Sequence, residues 1–170
     1  MFTPNACFVE QAQVVMAIVP VDSQSGANTG DYVSMKNYER CTVLVMKAAG
    51  VAGDDPVITM TQAQDVGATG VKELNFTRID AKVGAQTGIG QFTTVLQAAA
   101  NTYTDAASAE AQAIFAIDIQ GEDLDVDNGF DCLKVAIPDT GSAGAQLLTA
   151  IYILWAPRYQ SQPLPSAIVD

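Results

Sequence analysis

Apolar residues fall on every second position through several short stretches of this chain. In 114–119 (IFAIDI) Phe115, Ile117 and Ile119 share one side, and Ala116 and Asp118 the other. In 133–137 (LKVAI) Leu133, Val135 and Ile137 alternate with Lys134 and Ala136. In 57–61 (VITMT) Ile58 and Met60 lie opposite Thr59 and Thr61. A period of two is that of a strand with one face on a core and one in water, the habit of antiparallel sheets. Three further stretches, 14–19, 42–46 and 147–155, are apolar on both sides. They read as central strands, or as strands whose outer face a neighbour covers. In the last of these, Ile151, Tyr152, Ile153 and Trp155, followed by Pro157, favour strand over helix.

Between these stretches lie Gly-, Asp-, Ser- and Pro-rich breaks at 22–31, 50–56, 65–70, 84–90 and 138–144. Strands separated by such breaks predict an all-β chain: an antiparallel β-sandwich, jelly-roll-like, with one or two short helices and extended termini. The alanine-rich segment 103–113, with Thr104 or Asp105 as N-cap, is the first helix candidate, and a single turn at 121–125 the second. The expected core includes Val43, Val45, Ile58, Met60, Phe115, Ile117, Val135, Ile137 and Ile151, with Trp155 also assigned inward. At 170 residues one domain is expected. It divides into an N-terminal arm (1–9), the sandwich (10–156) and an extended C-terminal tail (157–170).

Composition then removes whole classes of chemistry. The chain has no histidine, so no Ser-His-Asp or Cys-His arrangement can form. It has no GxxxxGK[ST] phosphate loop and no GxGxxG turn between strand and helix. The expectation is a protein that is not an enzyme and uses no cofactor. Eight lysines and arginines stand against 19 acids, a net charge of −11, and the basic residues are scattered. Phosphate backbones and anionic membranes need clustered positive charge, so neither nucleic acid nor membrane is an expected partner. No apolar stretch reaches the length of a bilayer span. The segment 1–11 (MFTPNACFVEQ) lacks the basic and apolar regions of a signal peptide, so synthesis in the cytoplasm is expected. Cys7, Cys41 and Cys132 show no CxxC spacing and are expected as buried free thiols. Lys36, Arg40, Lys47 and Lys134 are read as charges that blunt strand edges or pair with the acidic excess.

One acidic stretch invites a metal. Asp123, Asp125, Asp127 and Asp131 occupy positions one, three, five and nine of a calcium-loop pattern. Asn128 stands where the turn glycine belongs, with Gly129 one place late, and Lys134 stands where the bidentate glutamate belongs. The favoured reading is a solvated acidic turn reversed at Asn128 and Gly129, ahead of a looser calcium site. The chain ends offer the other candidate. Pro157, Pro163 and Pro165 are expected to hold the tail extended and out of regular ladders. An apolar tip follows. Phe2, Pro4, Phe8, Arg158, Tyr159, Pro163, Pro165, Ile168 and Val169 are therefore the expected partner-interface residues.

The order of features also carries a resemblance. It runs through 31–46 (DYVSMKNYERCTVLVM), 57–65 (VITMTQAQD), 67–72 (GATGVK), 130–135 (FDCLKV) and 150–154 (AIYIL). The phrase K-x-Y-x-R-C-T-V-L-V at 36–45 is its main support, followed more loosely by 57–65, where Val57, Ile58 and Thr59 run together. This resembles the small β-sandwich structural proteins encoded beside the major capsid gene in tailed bacteriophages, the head-decoration or cement proteins, with related β modules in tails. The resemblance implies a virion structural protein on the outer capsid surface, with the major capsid protein as partner. It also implies self-association, with a trimer favoured, and no catalytic residues. The competing readings are a tail, neck or receptor-facing β module of the virion, and a carbohydrate- or calcium-binding β-sandwich module.

Overall fold

The computed structural model describes residues 4–84, 90–105, 108, 110–159 and 163–169. Two antiparallel sheets pack face to face. The first has the order β1 (Ala12–Asp22), β12 (Leu147–Pro157), β4 (Tyr38–Lys47), β10 (Ala113–Gln120), β7 (Phe76–Val83), β8 (Thr93–Ala100). The second is built on β11 (Cys132–Ile137) and β5 (Val57–Ala63). The short strands β2 (Asn28–Thr29) and β3 (Val33–Ser34) flank β11, while β6 (Lys72–Glu73) and β9 (Thr102–Thr104) flank β5. The chain crosses between the sheets repeatedly, so sequence neighbours are seldom ladder neighbours; the β7–β8 hairpin is an exception.

The alternating segments do what their period demands. Phe115, Ile117 and Ile119 of β10, Ile58 and Met60 of β5, and Leu133, Val135 and Ile137 of β11 are all buried. They meet Val43 and Val45 of β4 in one continuous core. Burying such side chains stabilises the fold by roughly 1.5–3 kcal/mol each.

The structure corrects the expectation for β12. Its inward residues are Leu148, Ala150, Tyr152 and Leu154. Ile151 and Trp155 lie in the opposite phase and are half-buried on the outer face. A strand apolar on both sides carries no phase of its own; the polar hydroxyl of Tyr152 goes inside because it finds partners there. That hydroxyl accepts from the Val135 nitrogen at 2.8 Å and donates to the Asp31 carbonyl at 3.1 Å. Gly30 makes room for it, since a Cβ there would stand 2.9 Å from the hydroxyl. Segment 14–19 is not a central strand: it belongs to β1, the edge of the first sheet, with Val14, Met16 and Val19 exposed.

Among the described residues the helical elements are four three-residue 3-10 turns: Phe8–Glu10, Ser23–Ser25, Gly121–Asp123 and Val126–Asn128. The turn expected at 121–125 is the third of them. The helix expected over 103–113 is not formed in its described part. Tyr103 and Thr104 pair with Ile58 and Val57 as strand β9, and Ala113 opens β10; residues 106, 107 and 109 lie outside the described residues. Tyr103 is held by its edge-on contact with Phe115, ring centroids 5.7 Å apart, and sheet packing overrides the alanine content.

Lys47 and Arg40 do not blunt an edge; each pairs with an acid, the other expectation for them. Lys47 follows Val43 and Val45 in phase and points inward, where its Nζ lies 2.9 Å from the Asp105 carboxylate, both side chains almost wholly buried. Arg40 sits on β4, inside the first sheet. Cys41 and Cys132 are buried, and burial pushes the Cys41 thiol far up; Cys7 is exposed, unlike the expectation for it.

Candidate functional site

The expected interface residues fall at two places. Pro4 and Phe8 lie on the N-terminal segment, where Phe8–Glu10 forms a 3-10 turn and the Cys7 nitrogen donates to the Glu10 carboxylate at 2.7 Å. Pro4 is exposed, Phe8 and Val9 are largely so, and Phe2 lies outside the described residues. At the other end Pro157 is part of the ladder, opposite Tyr38, rather than the start of an irregular tail. Arg158 donates its backbone N–H to the Asn37 carbonyl at 2.9 Å, and Tyr159 is exposed. Beyond the exposed Pro163 the tail lies on its own sandwich. The Pro165 carbonyl accepts from the Tyr38 hydroxyl, and the Ala167 carbonyl accepts from the Ser34 nitrogen at 2.7 Å. Ala167 is buried with the core, while Ile168 and Val169 stay exposed.

The acidic loop is tied up locally. Asp123 accepts from the Gln120 nitrogen at 2.7 Å. Asp125 pairs with Lys72 and accepts from the Asn128 amide, and these contacts hold its carboxyl below the usual range. Asp131 accepts from the Cys132 thiol, and Asp127 is exposed. The reversal is made by Gly129, whose φ of 79° is the left-handed conformation that glycine adopts freely. Among the described residues no three acids or thiols converge as a metal would need.

The outer face of the first sheet changes character across its width. One cross-strand row runs Met16, Ile151, Leu44, Ala116, Asp80 and Thr94. The next runs Val14, Ile153, Thr42 and Asp118. Thr149, Met46, Ile114 and Lys82 form a third. The β1–β12–β4 side is therefore apolar and partly exposed, and the β10–β7–β8 side is charged.

The two halves meet at Trp155. The Arg40 guanidinium stacks 5.3 Å from its ring centroid. Arg40 also pairs with Asp118 and donates to Gln120 Oε1 at 3.0 Å. The indole Nε1 donates to Thr42 Oγ1, which donates to Asp118, both at 3.0 Å. On β7, Arg78 forks onto Asp80 with two bonds of 3.0 Å, and Thr94 donates to the same carboxylate at 2.6 Å. These bonds hold Asp80 below the usual carboxylate range and raise Arg78. Arg40, Arg78 and Lys82 share the charged half of this face with Asp80 and Asp118.

The sequence reading missed this face. It placed Trp155 in the core and read Arg40 as an edge charge or a partner for the acidic excess. The available signal was the spacing of Trp155 from Tyr152: an odd separation puts the two on opposite sides of one strand. No protein-family model and no curated protein matches this chain.

Proposed function

We propose that this chain is a virion structural protein of the capsid-decoration type, seated on the outer surface of a major-capsid lattice. The observation that carries the reading is the apolar half of the first sheet's outer face. Met16, Ile151 and Leu44 in one row, beside Val14 and Ile153, form a partly exposed apolar surface suited to a neighbour rather than to a small ligand. The strand order adds support. β1-β12-β4-β10 opposite β2/β3-β11-β5-β9, with β7 and β8 as an extension of one sheet, is an order that we read as jelly-roll-like, an architecture found in viral capsid domains. The sequence resemblance points the same way. The partners in this reading are the major capsid protein and further copies of the chain, with a trimer as the favoured assembly.

The test is docking to shells assembled from the major capsid protein encoded alongside this one. Sedimentation with the shells is expected for the native chain. It should be lost for M16E/I153E, which places carboxylates on the apolar rows while the melting temperature stays within a few degrees. Failure of the native chain to sediment with such shells overturns the reading.

A further inference from the structure

A cleft opens in the first sheet where β10 and β7 part. Their pairing ends at Ala116 opposite Asp80. Beyond that point residues 117–120 remain on β4, and the start of β7 remains on β8. The topology drives them apart. The residues just before β7 belong to the other sheet, as β6 paired to β5, and the Leu74 nitrogen bonds the Met60 carbonyl there. The result is an open cleft of about 530 Å³ whose walls include Asp118, Gln120 and Asp123 on one side and Asn75, Thr77 and Arg78 on the other. That volume is within the ~300–1,000 Å³ of small-molecule sites.

Two arginines face three carboxylates in the cleft, Asp80, Asp118 and Asp123, and most of these charges are already paired, which limits what it binds. Both arginines are committed: Arg40 to Asp118, Gln120 and the Trp155 ring, and Arg78 to Asp80. An oxyanion would have to break an existing pair to be held. Of the three carboxylates, Asp118 and Asp80 are engaged by arginine and threonine and Asp123 accepts from the Gln120 nitrogen, and among the described residues no three acids converge on a cation. What remains is a closely spaced mixture of donors and acceptors. Among the described residues Asn75 and Thr77 are exposed and their side chains have no hydrogen-bond partner. The apolar side chains of Phe76 and Ile119 back the cleft. Groups that each donate and accept, carried on a neutral and partly apolar ring, match such a surface.

We propose that the β7–β10 cleft binds a neutral oligosaccharide, with Asn75, Thr77, Gln120 and the Arg78–Asp80 pair addressing its hydroxyls. This assignment is independent of the virion reading and stands or falls on the cleft alone. The experiment is an amide-resolved NMR titration of the full chain with three neutral probes: cellotetraose, maltotetraose and the β-1,4-linked tetramer of N-acetylglucosamine. Inorganic phosphate and calcium chloride at matched ionic strength serve as charged probes. At least one tetrasaccharide is expected to shift amides of 75–80 and 117–120 saturably, with neither charged probe doing so. In N75A/T77A, which breaks no bond of the free protein, affinity for that sugar should fall about tenfold, the equivalent of about 1.4 kcal/mol. Silence of the cleft amides toward all three sugars overturns the proposal. So does a response there to phosphate or calcium, or unchanged sugar affinity in N75A/T77A.

Discussion

The Tyr152 hydroxyl lies 2.8 Å from the Val135 nitrogen and joins the two sheets through the middle of the core. Tyr152 is on β12 and Val135 on β11, both wholly buried, so this is a polar link across an otherwise apolar layer. The same oxygen donates to Asp31, so one atom satisfies a buried donor and a carbonyl at once. Burial drives the phenol's ionisation far above its ordinary range. Replacing Tyr152→Phe keeps the ring and removes the link. The expected loss is about 1–3 kcal/mol, the cost of leaving a buried backbone N–H unsatisfied. Urea unfolding with an unchanged slope measures it, and a loss near zero would show that another acceptor reaches Val135.

The Lys47–Asp105 pair ties β4 of one sheet to the segment after β9 of the other. Removing one partner strands a buried charge, so Lys47→Met should cost about 3–5 kcal/mol. The double variant Lys47→Met/Asp105→Leu should recover part of that loss, because no charge is left inside. Thermal unfolding of the two variants decides it; equal stability of single and double would mean the pair is hydrated in solution.

The tail contributes to the fold it returns to. Deleting residues 160–170 removes the acceptors of the Tyr38 hydroxyl and the Ser34 nitrogen and uncovers the core at Ala167. A loss of about 2 kcal/mol is expected, since water reaches part of what is exposed. Ile168→Ser/Val169→Ser, at the exposed tip, should leave stability unchanged. A deletion with the native melting temperature would show that these contacts are not formed in solution.

Stability should be flat near neutrality and fall only in acid. With no histidine, no ordinary side chain titrates between about pH 5.5 and 7.5. Below that window four carboxyls matter. Thr69 holds Asp65 low, Arg78 holds Asp80 low and Lys72 holds Asp125 low. Burial pushes Asp105 up, but the bonds from Ser108 and Lys47 outweigh it and hold it low as well. A carboxyl with a lower pKa folded than unfolded stabilises fully above the unfolded value, near 4, and progressively less as pH falls through the folded one. Melting temperatures across pH 2–8 should show that plateau and that single acid limb. A slope between pH 6 and 7 would contradict it.

The sandwich was legible because most strands alternate. β10 and β11 mix Phe115, Ile117, Val135 and Ile137 with Lys134 and Asp118, so their phase is written in their polarity. β12 is apolar on both sides, and the choice between Ile151 and Tyr152 depended on a partner hydroxyl site supplied by β11 and Gly30. The burial of Lys47 was within reach, because it continues the phase of Val43 and Val45. Its partner Asp105 lies far along the chain and was masked by the helical look of the alanines after it. The cleft was not legible at all. It depends on where β6 crosses to the other sheet, and no local pattern in 72–80 records that.

The position of β12 also sets the order of events in biosynthesis. β12 lies between β1 and β4, two strands made long before it. Until Pro157 has left the ribosome, β1 has no ladder partner and one edge of β4 is bare. A nascent chain with open edges and unpaired apolar strands is prone to aggregate. Premature termination anywhere before 147 should therefore yield insoluble fragments rather than smaller folded ones, and the rate of folding after release should be slow, set by closure of contacts distant in sequence.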